Sequence, residues 1–290
     1  MPAVPTQPLI GEAAVLDALR GVTGLPSLPT VVGELSRRLS SEDAAPADIA
    51  RLLSHDQALT ARVLKLANSA FYAPREPVRS VRQAVVMLGL STVRSITLKA
   101  SVLSAFPVAE ARPFWLHSLG TACAARAVAR LAGLAPEDDA FIMGLLHDIG
   151  KIALAEHLPE AYAKVRARVA ADGGLLRDAE LAVMACDHAA VGKFLCSHWS
   201  LPIEFREAIG GHHDLERCAP VHRPWAACVH LADILARRLA IGNGGDNAMP
   251  ALLPGALDAL ALGPHDLAPC LSATQTEIAR ATVFFDLVSA

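Results

Sequence analysis

Apolar residues recur three and four positions apart along most of this chain, the period of an amphipathic helix. A proline-tagged tail leads into a short helix at EAAVLDALR. In LPSLPTVVGELSRRLS, Val31, Val32, Leu35 and Leu39 form one stripe, which predicts a first core helix starting near Thr30. Pro46 suits a first helical turn. Ile49, Leu52 and Leu53, then Leu59, Val63, Leu64 and Leu66, mark two helices joined around Ser54 to Asp56. Ser80 and Gln83 stand at capping-box spacing, with Gly89 placed to end a helix and Ser91 to begin the next.

The apolar pattern breaks around Phe106 and Pro107, where a lobe boundary is expected, and a second group of helices begins with FWLHSLGTACAARAVARLAGL. Helical regions follow around DDAFIMGLLHDIGKIAL, around AYAKVRARVA, from RDAELAVMACDHAAVGKFLCSHW to PIEFREAIGGHH, and around WAACVHLADILARRLA. None of these reads as a strand. GNGGDN is the clearest flexible break, and two short helices should close the C-terminus. The prediction is an all-α fold of two helical lobes. It divides into a tail with a short helix (1–23), an N-terminal lobe (24–107), a C-terminal helical bundle (108–241) and a flexible turn with a helical extension (242–290).

Composition narrows the class of protein. Hydrophobic residues make up 53% and charged residues 19%, too apolar for a disordered chain and suited to helix-on-helix burial. No apolar run approaches the roughly 18 residues of a membrane span, and the start, MPAVPTQPLIGEAAV, lacks the basic-then-apolar plan of a signal peptide, so a cytoplasmic protein without a membrane partner is expected. Cys123, Cys186, Cys196, Cys218, Cys228 and Cys270 include no C-x-x-C pair and read as reduced helix filler. The net charge of −3 gives no global field for nucleic acid. Arg75, Arg79, Arg82, Arg94 and Lys99 read as a solvated helix face. The helix-turn-helix cadence of ADIARLLSHDQALTARVLKLANS has no specific turn, so a nucleic-acid partner is not expected.

The residues that carry chemistry are His147 and Asp148 in LLHDIGK, expected inside an apolar helix where a charged carboxylate is costly unless paired or coordinated. Residues of matching chemistry stand at His117, His188, His212, His213 and Asp233, giving seven nitrogen and oxygen ligands able to converge. Such a set suits iron, manganese, zinc or nickel, in a mononuclear or dinuclear site, better than calcium. The plainer alternatives are a structural His147–Asp148 pair, His212 and His213 exposed at a helix end, a helix-surface pair of Asp187 and His188, and a salt-bridging Asp233. His55, His157, His198, His222, His230 and His265 read as surface or packing residues.

HD-x-G-K, a later H-x-x-x-G, the HH pair and a final aspartate resemble the ordered signature of HD-superfamily phosphohydrolases. LPSLPTVVGELSRRL, ARLLSHDQALTARVLKLANSAFY and SVRQAVVMLGLSTVRSITLKA resemble the HDOD family, bacterial signalling modules related to those enzymes. The resemblance implies an N-terminal HDOD bundle and a C-terminal HD-like bundle. It also implies a regulatory role through contacts with signalling proteins of two-component or cyclic-dinucleotide pathways. By similarity to the HD-GYP branch, His117, His147, Asp148 and Asp233 would hold one metal, with Asp148 bridging to a second held by His188, His212 and His213. Lys151 would face substrate phosphate. Where that branch continues after HH with a Gly-Tyr-Pro loop, this chain has HHDLERCAPVHRPW, and Pro113 stands where some members carry a glutamate ligand. The rivals to a regulatory module are a metal-dependent phosphohydrolase acting on a nucleotide or cyclic dinucleotide, and a sensor of cyclic dinucleotide, metal or redox state without turnover.

Overall fold

The computed structural model describes residues 8, 10–20, 57–89, 93, 112–199 and 201–281. Outside the described residues lie the helix expected from Thr30, the Pro46 to Asp56 stretch with its Ser54 junction and His55, the start at Ser91, Arg94, Lys99, and the boundary at Phe106 and Pro107. Among the described residues every regular element is helical.

Helices α1 (Glu12–Arg20), α2 (Gln57–Ala67) and α3 (Val81–Leu88) come first. The predicted cap of α3 is present. Ser80 Oγ accepts from the Gln83 amide at 3.1 Å, and Gln83 Oε1 reaches back to the Arg79 amide at 2.8 Å. Gly89 ends the helix with φ +85°. Asn68 pins the connection between α2 and α3 by bonding both the amide and the carbonyl of Val78, each at 2.7 Å.

Helix α4 (Arg112–Leu131) is the central post. It packs against α5 (Glu137–Leu146), α11 (Arg223–Arg238) and α13 (Leu267–Arg280). Between α5 and α11 run α6 (Ile149–His157), α7 (Pro159–Asp172), α8 (Leu176–Met184), α9 (His188–His198) and α10 (Ile203–Gly211), and the short α12 (Ala256–Ala259) precedes α13. One apolar cluster runs from Val15 and Leu66 through Phe71, Phe141 and Trp115 into α6, α9 and α10. A second lies between α4, α11, α12 and α13. Each fully buried Leu or Phe contributes about 1.5–3 kcal/mol, so these clusters hold the helices in place. Arg126 and Arg130 of α4 each bond Glu277 of α13 at 2.8 Å, fixing the C-terminal helix to the post.

Three expectations change. DDAFIMGLLHDIGKIAL is two helices, not one: the chain turns at His147–Asp148, with Asp148 at φ −97° and ψ 6°. The turn carries α6 against α9 so closely that a methyl group on Gly150 would fall on the His188 carbonyl oxygen, which is why this position needs glycine. RDAELAVMACDHAAVG also breaks, at Ala185 in the left-handed region, and Asp187 caps α9 by accepting from the Ala190 amide at 2.9 Å. GNGGDN, expected to be flexible, is tied to three helices. The Asn243 amide donates to Pro113 O at 2.8 Å, while Asp246 accepts from Arg237 Nη1 at 2.7 Å and from the Leu176 amide at 3.0 Å.

Candidate metal centre

Six helices deliver the seven candidate residues to one place. His117 projects from the middle of α4; His147 and Asp148 form the turn between α5 and α6; His188 opens α9; His212 and His213 follow α10; Asp233 lies in α11. Six of them are buried and His213 is partly buried, so the exposed helix-end reading fails for His212 and the surface-pair reading fails for Asp187 and His188.

Asp148 is the centre of the arrangement. Its Oδ2 lies 3.2 Å from His147 Nε2 and 3.6 Å from His117 Nε2, and its Oδ1 lies 3.1 Å from His188 Nε2. His117 Nε2 also stands 3.0 Å from Asp233 Oδ1. His188 Nε2 and His213 Nε2 approach to 2.9 Å, and the His212 ring stacks on His213 at 3.9 Å between centroids. Two groups of possible ligand atoms result, His117 with His147 and Asp148, and His188 with His212 and His213, each within 4.8 Å. The two carboxylate oxygens of Asp148 face one group each.

The surrounding bonds set which ring nitrogen is free. His147 Nδ1 donates to Gly144 O at 2.8 Å and His212 Nδ1 to Ile209 O at 2.7 Å, leaving the Nε2 lone pairs turned inward. His188 Nδ1 bonds Glu180 Oε2 at 2.6 Å, and the same oxygen accepts the His188 amide at 2.9 Å. Burial lowers the His188 pKa, but Glu180 and Asp148 beside it outweigh burial and raise it to about 9. Burial and the neighbouring histidines push His212 and His213 well below the ordinary value. Burial works to raise the Asp148 carboxyl, yet His147, Lys151 and His188 hold it well below the usual carboxylate range. Asp233 is likewise held low against burial by His117 and Arg237.

Each carboxylate also has a cation of its own. Lys151 Nζ donates to Asp148 Oδ2 at 2.7 Å and to Gly244 O at 2.8 Å. Arg237 Nε donates to Asp233 Oδ1 at 2.9 Å. Arg177 and Arg217 close on Asp187 at 3.0 Å and 2.9 Å. Asp233 therefore does form the salt bridge of the plainer reading while facing His117.

The donor set fits a divalent ion on its own chemistry. His212 Nε2 is buried without a hydrogen-bond partner, and the Nε2 atoms of His117 and His147 meet only carboxylate oxygens, at 3.0 Å and 3.2 Å in poor hydrogen-bond geometry, a costly state that a metal would relieve. Imidazole with carboxylate suits iron, manganese, zinc or nickel. Sequence reading missed Glu180, Arg237 and the Gly242–Asn247 segment. Arg237 had a signal, since it follows Asp233 by four residues on one helix; Glu180 had none beyond being an acid in an apolar helix. His230, set aside as packing, is buried with its Nε2 accepting from the Leu253 amide at 3.0 Å.

The HDOD domain family model matches residues 25–215. The solved structure of an HDOD domain protein of unknown function from Geobacter sulfurreducens is similar at 26% identity and a TM-score of 0.71, covering 95% of each chain. That of a candidate phosphohydrolase from Shewanella amazonensis SB2B is 24% identical with a TM-score of 0.73, covering 95% of this chain and 98% of its own, a likeness that shows the fold alone. An uncharacterised protein of Treponema pallidum (strain Nichols) is 27% identical over 222 residues, which are 75% of this chain and 43% of that protein, so the chain spans less than half the length of this curated relative. Among the described residues no helix is long and apolar enough to cross a membrane. With its family segment matched over most of the helical body and its fold shared with a solved HDOD protein, the chain belongs to the HDOD domain family.

Proposed function

We propose that this chain is a regulatory module of bacterial signal transduction that holds divalent metal and acts through contacts with signalling proteins of a two-component or cyclic-dinucleotide pathway. The observation that carries the reading is Lys151. Its ammonium is buried and engaged by Asp148 and by the Gly244 carbonyl, so the cation expected to meet a substrate phosphate faces the protein's own chain. His117, His147, Asp148 and Asp233 would hold one ion, and Asp148, His188, His212 and His213 a second. Such ions supply Lewis acidity toward phosphoryl oxygens. The chain's own contribution is to orient the imidazoles through Gly144, Ile209 and Glu180 and to exclude water from six of the seven ligands.

A second reading, a metal-dependent phosphohydrolase acting on a nucleotide or cyclic dinucleotide, is supported by the candidate ligands gathered around Asp148. A non-catalytic sensor of cyclic dinucleotide, metal or redox state would use the same set. Elemental analysis of protein purified without a metal-affinity tag, beside an Asp148→Ala, His212→Ala double variant, tests the common premise. Near-stoichiometric iron, manganese, zinc or nickel lost in the variant is the expected result. No metal even after anaerobic loading would overturn all metal readings. Turnover of a generic phosphodiester, abolished by Asp148→Ala, would replace the regulatory reading with the enzymatic one.

A further inference from the structure

The segment Gly242–Asn247 lies beyond the family match and crosses the face of the centre. Its backbone touches the ligand set. A methyl group on Gly244 would stand 3.0 Å from His117 Cδ2, 3.1 Å from His117 Nε2 and 3.2 Å from Asp148 Oδ2. A side chain here would crowd both residues, since these distances are tighter than ordinary van der Waals contact. The Gly244 carbonyl oxygen then bonds Lys151 Nζ, the ammonium that also holds Asp148. A neutral backbone oxygen thus fills, at Lys151, the position an anionic ligand oxygen would take.

The segment is held almost wholly by polar bonds. Asn243 donates its amide to Pro113 O, and Asp246 joins Arg237 and the Leu176 amide. Within the segment, Gly245 N donates to Asn243 Oδ1 at 2.6 Å and Asn243 Nδ2 to Asn247 Oδ1 at 2.8 Å. GNGGDN contains no apolar side chain to bury. Neutral bonds of this kind contribute about 0.5–1.5 kcal/mol each and charged ones about 1.5–3 kcal/mol, so the segment can open without unfolding the helices beneath it. Arg237 Nε holds Asp233 while its Nη1 holds Asp246, so one guanidinium connects a ligand candidate to the segment.

The segment also divides the space around the centre. A cavity of about 480 Å³ is lined by Phe114, Lys151, Tyr162, Arg166 and Gly244. Another of about 180 Å³ is lined by Lys151, Arg177, His188, His213, Arg237 and Asp246. A third of about 150 Å³ is bounded by His117, Arg237, Gly244 and Asn247. All three share walls supplied by the segment and by Lys151 or Arg237.

We propose that Gly242–Asn247 is a tethered occupant of the ligand face: closed, it partitions the centre into small cavities, and released from Arg237 it opens one continuous cleft for an extended phosphate diester. The closure stands on the contacts above. The use of the opened cleft rests on the metal reading of the preceding subsection, and the experiment separates the two.

The full chain is compared with Asp246→Ala, which removes the side-chain bonds to Arg237 and the Leu176 amide and leaves Arg237 only the Ala248 carbonyl at 2.9 Å in this stretch, and with Gly244→Val, which leaves those anchors but crowds His117 and Asp148. Far-UV circular dichroism confirms the fold of each, and either variant suffices if the other misfolds. Hydrogen exchange read by mass spectrometry over 242–249 should be at least about tenfold faster in the variants, with α4 and α11 unchanged. Native exchange as fast as that of an unstructured peptide, or no acceleration in a folded variant, would overturn the closure. With manganese-loaded protein and bis(p-nitrophenyl) phosphate as the probe, calorimetric binding should tighten at least about tenfold in the variants. Equal diester binding by native and variant would overturn the cleft. Absence of manganese from every sample would instead remove the metal reading and leave the closure to the exchange result.

Discussion

Glu180→Gln isolates what the second layer does for the centre. Glu180 is fully buried, and one of its oxygens accepts both the His188 amide at 2.9 Å and His188 Nδ1 at 2.6 Å. Glutamine keeps the shape and one carbonyl oxygen but loses the charge. Hydrogen bonds to a charged group contribute about 1.5–3 kcal/mol against about 0.5–1.5 kcal/mol for neutral ones, so two weakened bonds cost about 2 kcal/mol. Loss of a partner behind a metal-bound histidine typically lowers affinity about 10- to 100-fold, or about 1.4–2.8 kcal/mol, which brackets the same value. The expected result is a fall of about 30-fold in the affinity of the ion held by His188, His212 and His213, with little change at His117, His147 and Asp233. Competition titration against a chromophoric chelator, with two ions resolved by stoichiometry, reads this directly. A melting temperature lowered by about 3 °C with both affinities unchanged within about threefold would refute the reasoning and leave Glu180 a purely structural acid.

Other perturbations test the frame that holds the centre. Gly150→Ala places a methyl on the His188 carbonyl and forces α6 off α9, so a loss of about 3 kcal/mol or more is expected in urea unfolding, against less than about 1 kcal/mol for Gly174→Ala, whose added methyl meets nothing within 4 Å. Burial pushes the Cys186 and Cys196 thiols up to about 12 and Cys218 to about 11, and all six cysteines are free and buried, so a disulfide reagent at neutral pH should label none of them in minutes and all six in denaturant. Arg130, bonded to both oxygens of Glu137, holds that carboxyl below its ordinary value. A depressed carboxyl stabilises the fold above its unfolded pKa and loses that contribution as pH falls through the folded one. Glu137→Gln, which leaves the Arg130–Glu277 bond in place, should therefore cost about 1 kcal/mol at pH 7, partly exposed as the pair is, with the difference from native shrinking as the pH drops below about 4.

The meeting of the candidate residues was legible because residue type and order carried it: histidine and aspartate in an apolar context had to be paired or coordinated, and the other six candidates gather around Asp148. The cap at Ser80 and Gln83 was equally local and equally readable. The turn at His147–Asp148 was not, because its backbone angles lie near the helical region and both flanking helices are apolar, so period and composition run through it unbroken. Glu180 was hidden because its reach to His188 depends on the left-handed residue at Ala185, which redirects the chain between α8 and α9. The contacts of GNGGDN were not legible, because glycine tracts that stand free and glycine tracts that approach a neighbour closely share one composition, and only the surroundings of Gly244 tell them apart.

The charge balance of the centre bears on whether metal would be a staple or a reversible guest. A site of carboxylates alone would repel itself when empty. Here Asp148 lies against Lys151, Asp233 against Arg237, Asp187 against Arg177 and Arg217, and Glu180 against His188, so every buried acid has a resident positive partner. A metal ion would enter a set that is already neutralised and would displace the His188 proton and share Asp148 and Asp233 with their cations. Metal-dependent folds draw about 10–16 kcal/mol from the ion, as much as a domain's whole stability, and unfold without it. The paired acids of this chain predict the opposite: chelated protein keeps its helical circular dichroism and melts in one transition. At a free metal concentration 100 times the dissociation constant, binding adds about 2.7 kcal/mol, which for a chain of 290 residues raises the melting temperature by about 4 °C. Collapse on chelation would make the ion a structural staple, and a melting temperature indifferent to saturating metal would mean that the seven residues hold none.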